Sequence, residues 1–278
     1  MRDRLGGGHH GWVYVGLDST EWVYSNAMNR AVRNVQVDLT KLTLKQMIAK
    51  AEEDLSRSTG RKVTLSVGLL AMSPCCRTFS KADSCNVTRG YTYRLHGPGN
   101  PERDPKDGGL GAIGGSKMGQ EAIDADMMVR HGIRVAKEAH SMGIPFYMEN
   151  PVGSLVRRPC MVEWEKLEWL TRHTVHYCAY GHFYHKPTHI WTNMVGWVQK
   201  GLTGTGLCSQ KCQQGYMDLG TRKWVHFFKM ARESHLAQAG PGRWAKKNMM
   251  PARLHQELLA SAGRYQGYHG EQVAGEVP

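Results

Sequence analysis

Apolar and polar positions alternate over "WVYVGLD", residues 12 to 18, and over "NVQVDL", residues 34 to 39, and each run predicts a short strand closed by an acid. In "LTLKQMIAKAEEDLSRSTG" the period changes. Leu44, Met47, Ile48, Ala51 and Leu55 fall on one helical face, and Gly60 stands where the helix should stop. "KVTLSVGLLAM", residues 62 to 72, reads as the strongest strand, apolar enough to be buried on both faces. Residues 87 to 119, rich in glycine, proline and charge, read as a long mobile loop. A helix is predicted over residues 120 to 142. The strand "IPFYMENP" follows, ending in Glu149, Asn150 and Pro151. "MMPARLHQELLASAG", residues 249 to 263, reads as a proline-started helix ending at Gly263, and the last fifteen residues as a frayed tail.

Strand, helix, strand, loop, helix, strand is the pattern of a parallel sheet covered by helices. Such sheets bind ligands beyond the carboxyl ends of their strands. Asp18, Asp38, Cys75, Cys76 and Glu149 all fall at expected ends of that kind. The second half differs in texture: "VHYCAYGHFYHKPTHIWTN", residues 175 to 193, is aromatic, basic and rich in histidine.

Composition narrows the setting. A chain of 278 residues, 41% of them hydrophobic, can build one large domain or two small ones. No apolar run approaches the roughly 20 residues of a membrane span, so no membrane partner is expected. "MRDRLGGGHHGW" lacks the apolar core of a signal peptide. Seven cysteines, an odd number in a chain this long, do not read as a disulfide framework, and an intracellular compartment (cytoplasm or nucleus) is expected. The net charge of +12 favours a polyanionic partner, nucleic acid first, bound through salt-sensitive phosphate contacts.

A thiol at a strand-to-loop turn in a positive setting is a candidate nucleophile. A carboxyl group facing it can engage a ring nitrogen of a bound heterocycle. Thiolate addition to C6 of a pyrimidine makes C5 nucleophilic, and a base within nucleic acid must first leave the stack. The spellings "SPCCRTFS" (Ser73 to Ser80), "ENP" (Glu149 to Pro151) and "YCxYGxxYxKPTxIWTN" (Tyr177 to Asn193), in that order, resemble the DNA (cytosine-5) methyltransferases, most closely the short phage-type members. The resemblance runs from about residue 12 to about residue 262 and is compatible with a phage or virus source.

What the resemblance implies is as follows. The fold is α/β, a Rossmann-like S-adenosylmethionine-dependent methyltransferase sheet with helices on both faces, plus a small irregular C-terminal region. Residues 1–193 form the catalytic domain, its N-terminal part truncated. Residues 194–248 form a small loop-rich, cysteine-containing basic segment that is a candidate for DNA recognition, and 249–278 a helix and tail. Counting back from Phe79 and Ser80 puts the nucleophile at Cys76; Cys75 stands where the family usually has a second proline. Glu149 matches the glutamate on the N3 edge of the flipped cytosine. Lys186 matches the first arginine of the element that holds the base and its phosphate, and Thr188 stands at the second. Asp18 with Ser19, Asp38 with Leu39, and Pro74 fall at the S-adenosylmethionine positions. Arg77, Ser80, Arg157 and Lys186 are the DNA-contact candidates, although Arg157 and Arg158 read equally well as a solvated pair.

Two features depart from the pattern. The family's glycine-rich "DLFxGxGG" loop has no room in "RLGGGHHGW", which reads as a linker. A truncated, split or permuted enzyme is therefore expected, with weak cofactor binding and a second chain as the possible source of the loop. A catalytically impaired nucleic-acid-binding relic is the alternative. Cys208 and Cys212, spaced C-x3-C with His226 or His235 downstream, are the candidate metal ligands, with Cys178 and Cys160 as possible additions. The spacing does not establish a site, and a solvated loop without metal is the expectation.

Overall fold

The structure, a computed structural model, describes residues 14–18, 32–36, 41–74, 76, 79, 117–209, 212–226 and 250–265; for 14–18, 32–36 and 117–123 it describes the backbone alone. Two compact units divide the chain, Met1–Val67 and Gly68–Pro278. Among the described residues no helix is long and apolar enough to cross a membrane.

In the first unit β1 (Tyr14–Asp18) and β2 (Val32–Gln36) pair in parallel, with Asp18 opposite Gln36. Helix α1 (Leu44–Thr59) opens on a capping box. Thr43 Oγ1 accepts from the Gln46 N–H, and Gln46 Oε1 accepts from the Thr43 N–H, so two end donors are satisfied reciprocally. Leu44, Met47, Ala51 and Leu55 form its buried stripe, and Gly60 ends it at φ +66, where a Cβ would be strained. The expected strand over residues 62 to 72 is a correction: only Leu70–Met72 (β3), which belongs to the second unit, pairs in a sheet. The N–H groups of Val63 and Leu65 donate to Ser56 Oγ and Glu52 Oε1, both at 2.8 Å. Those donors are taken by helix side chains and cannot enter a ladder. Nor is the stretch buried on both faces, since Lys62, Thr64 and Ser66 are exposed.

The second unit holds a four-stranded sheet in the order β3-β4-β6-β5, with β4 at Phe146–Pro151, β5 at Thr171–His176 and β6 at Pro187–Thr192. β3 and β4 are parallel, with helix α2 (Lys117–Ser141) lying between them in sequence. β4–β6 and β6–β5 are antiparallel. The protein is therefore α/β with a mixed sheet, not the wholly parallel one expected. Between β5 and β6 the chain has only a 3-10 turn (Tyr177–Tyr180) and a short loop, too little for the crossover that a parallel neighbour needs.

All six residues of β4 are buried. Tyr147 packs with Leu254 and Leu258 of the C-terminal helix α4 (Ala252–Ala262), whereas Met148 meets α2 at Gly132. Successive strand side chains point to opposite faces, so the two helices cover the two sides of β4. Asn193 closes the sheet after β6. Its Oδ1 accepts from Phe146 N–H (2.8 Å) and its Nδ2 donates to Ile144 O (3.0 Å). A short helix α3 (Pro159–Trp164) follows β4, and a two-stranded hairpin, β7 (Gly215–Asp218) with β8 (Lys223–His226), follows the sheet.

Candidate active site

Because β3 and β4 are parallel neighbours, the segments leaving their carboxyl ends lie side by side. The segment after β3 carries Ser73, Pro74 and Cys76; β4 itself carries Glu149, Asn150 and Pro151 as its last three residues. Four hydrogen bonds fasten them together. Ser73 Oγ donates to Glu149 Oε2 at 2.8 Å, and Asn150 Nδ2 donates to the Pro74 carbonyl at 3.1 Å. Downstream, Ser154 donates to the Phe79 carbonyl from both its N–H (2.8 Å) and its Oγ (3.3 Å). Phe79 is wholly buried, and its N–H closes a turn on the Cys76 carbonyl at 3.1 Å. Cys76 itself is half-buried, at the edge of this anchored turn.

Glu149 is 5% exposed and carries three donors. Besides Ser73 these are the Tyr177 hydroxyl at 2.8 Å and the Lys186 ammonium at 3.3 Å, both on Oε1. Lys186 is 4% exposed and lies over the Tyr177 ring, 4.7 Å from its centroid. Charge, ring and hydroxyl thus converge on one carboxylate. Burial first, and the Glu149 charge second, push the Tyr177 hydroxyl well above its usual range, so it stays a proton donor. A carboxylate offers about four acceptor positions. Among the described residues, donors take three of them. The β4–β6 ladder brings these groups together, since Pro151 pairs with Thr188 and Val152 N–H donates to the Pro187 carbonyl at 2.9 Å.

Of the residues singled out from sequence, Cys76, Pro74, Glu149 and Lys186 all belong to the second unit, and Glu149 and Lys186 touch. Thr188 is wholly buried, with its hydroxyl donating to the Lys186 carbonyl at 3.2 Å. Arg157 and Arg158 are not alike: Arg157 is exposed, whereas Arg158 is buried in an ion pair with Asp126. Asp18 ends β1 in the first unit. Ser19, Asp38, Leu39, Cys75, Arg77 and Ser80 lie outside the described residues, as does His235. Sequence reasoning missed Tyr177, although it begins the long third element. A separate cleft of about 650 Å³, lined by His140, Trp169, Asn193, Met194 and Tyr265 among others, contains none of Cys76, Glu149 and Lys186.

The C-x3-C cysteines are placed otherwise than in a plain solvated loop. Cys208 and Cys212 meet Cys178 and His226, their four ligand atoms all within 4.8 Å of one another. Cys160 stands outside this group. Burial, reinforced by the neighbouring thiols, pushes the Cys178 thiol up; burial pushes Cys208 up to about 11. Comparison of the chain with protein-family models, with curated proteins and with solved structures finds no match.

Proposed function

We propose that the protein is a DNA cytosine C5 methyltransferase that uses S-adenosylmethionine. The observation that carries this reading is the buried Glu149 carboxylate, held by Ser73, Tyr177 and Lys186 beside the turn that bears Cys76. In this reading Cys76 Sγ, as thiolate, forms a bond to C6 of a flipped cytosine, and C5 becomes nucleophilic. Glu149 holds the N3 edge of the base, and Lys186 and Tyr177 fix Glu149. S-adenosylmethionine, when bound, supplies the methyl group, whose sulfur departs with the bonding electron pair. Loss of the C5 proton then restores the C5–C6 double bond and expels Cys76.

The finer fold reading, a Rossmann-like methyltransferase sheet, belongs to the same proposal. Both parallel strand pairs and the helices on the two sides of β4 support it. Asp18 stands at the carboxyl end of a parallel strand, the place where doubly wound sheets take nucleosides, which fits a ribose contact. The net charge of +12 fits DNA as the partner. The test uses S-adenosylmethionine with DNA carrying 5-fluorocytosine: once the methyl group is on C5 there is no proton to lose, so that the enzyme stays attached. A denaturation-resistant adduct should form with the wild type and with Cys75→Ala, and vanish with Cys76→Ala. DNA binding without an adduct in the wild type would make this a non-enzymatic DNA-binding protein, and an adduct lost with Cys75→Ala alone would move the nucleophile.

A further inference from the structure

We propose that Cys178, Cys208, Cys212 and His226 bind one structural zinc ion. The side chains come from three separate segments. Cys178 sits in the 3-10 turn after β5, Cys208 and Cys212 in the segment between β6 and β7, and His226 at the end of β8. Their ligand atoms all lie within 4.8 Å of one another, and Cys208 Sγ is 3.0 Å from His226 Nε2. Four points so confined share a centre within about 2.9 Å of each, against about 2.3 Å for a zinc–thiolate bond and 2.0–2.1 Å for zinc–imidazole. Closing onto an ion therefore needs inward shifts of at most about 0.6–0.9 Å.

The donor set is three thiols and one imidazole, a common structural zinc set, and it leaves no position open for substrate. A structural role follows from that closure. The surroundings are built to orient the ligands, as second layers around metals are. The Cys208 backbone N–H donates to His176 Nδ1 at 3.0 Å, and His185 stacks on the His226 ring, with centroids 4.4 Å apart and planes inclined by 16°. The loop carrying Cys208 is fastened to the turn carrying Cys178. His176 N–H donates to the Gly206 carbonyl at 2.9 Å, and Leu202 N–H to the Ala179 carbonyl at 2.6 Å. His176 and His185 with Cys208 form a second close group, but it offers three ligands and shares Cys208 with the fuller set. Zinc at the four-ligand centre ties the loop and the β7–β8 hairpin to the sheet.

The experiment uses the full chain, purified without added chelator. Elemental analysis should give about one zinc per chain, retained through dialysis. Cobalt replacing it should show tetrahedral d–d bands with thiolate-to-cobalt charge transfer. Alkylation with mass-spectrometric readout should find Cys178, Cys208 and Cys212 protected until a chelator is added, while Cys160 reacts at the same rate before and after. Cys212→Ser and His226→Ala should weaken zinc retention at least tenfold, and His185→Ala should keep the stoichiometry. Substoichiometric zinc in the folded wild type, iron in its place, octahedral cobalt, or thiols equally reactive with and without chelator would overturn the assignment. The wild-type measurements decide the matter even if a ligand variant fails to fold, and none of them depends on methyl transfer.

Discussion

Ser73 and Glu149, 76 residues apart in the chain, are joined by a 2.8 Å hydrogen bond from hydroxyl to carboxylate. It links the turn that bears Cys76 to the strand that bears the acid, so the spacing between Cys76 and the carboxylate rests partly on it. A hydrogen bond to a charged group contributes about 1.5–3 kcal/mol. In the proposed reaction Ser73→Ala should therefore slow single-turnover methyl transfer by about tenfold to a hundredfold, and it should lower the thermal midpoint by several degrees. An unchanged rate would remove Ser73 from the site.

Lys186 and Tyr177 share one oxygen of Glu149 but differ in what their loss leaves behind. Lys186→Met strands a buried carboxylate without its counter-charge, which costs about 3–5 kcal/mol. Tyr177→Phe removes one donor, at about 1.5–3 kcal/mol. Urea unfolding should place the Lys186 variant below the Tyr177 variant, and both below wild type. The opposite order would mean that the ammonium contributes less to Glu149 than the hydroxyl does.

Acidification should destabilise the protein before its carboxylates titrate. Burial holds the imidazoles of His140, His173 and His255 below their usual range, His173 despite its 2.6 Å contact with Gln199 Oε1. Unfolding returns each to about 6.5, so below that pH the unfolded chain binds more protons than the folded one. Stability is whole above about pH 6.5 and declines as the pH falls towards the lower folded values. The urea midpoint should accordingly be lower at about pH 5.5 than at about pH 7.5. Equal midpoints would show that these rings are hydrated in the folded state.

Where local chemistry alone decides an element, the sequence reading and the structure agree. The Leu44–Leu55 stripe and Gly60 delimit α1 without outside help. The apolar run of residues 144–148 marks the first half of β4, and proline marks the start of α4. Agreement ends where a distant partner intervenes. Ser56 and Glu52 take the backbone donors of Val63 and Leu65, and no periodicity reveals that. Nothing in the spelling of two adjacent arginines says that Asp126 will pair with Arg158 and leave Arg157 in water. The cysteine cluster was half legible: Cys208, Cys212, His226 and Cys178 are all candidates in the sequence, but so are His235 and Cys160, and only the folded chain brings Cys178 to the group from 30 residues upstream of Cys208 and leaves Cys160 outside it.

Tyr177 and Cys178 are consecutive residues in one 3-10 turn, and they face different company. The phenol is bonded to Glu149, while the thiol sits among Cys208, Cys212 and His226. A single peptide unit, stiff about its C–N bond, is all that separates the two. The hydrogen bonding of the carboxylate and the packing of the cysteine cluster therefore share one stretch of backbone, and a change in either is felt one peptide unit away from the other.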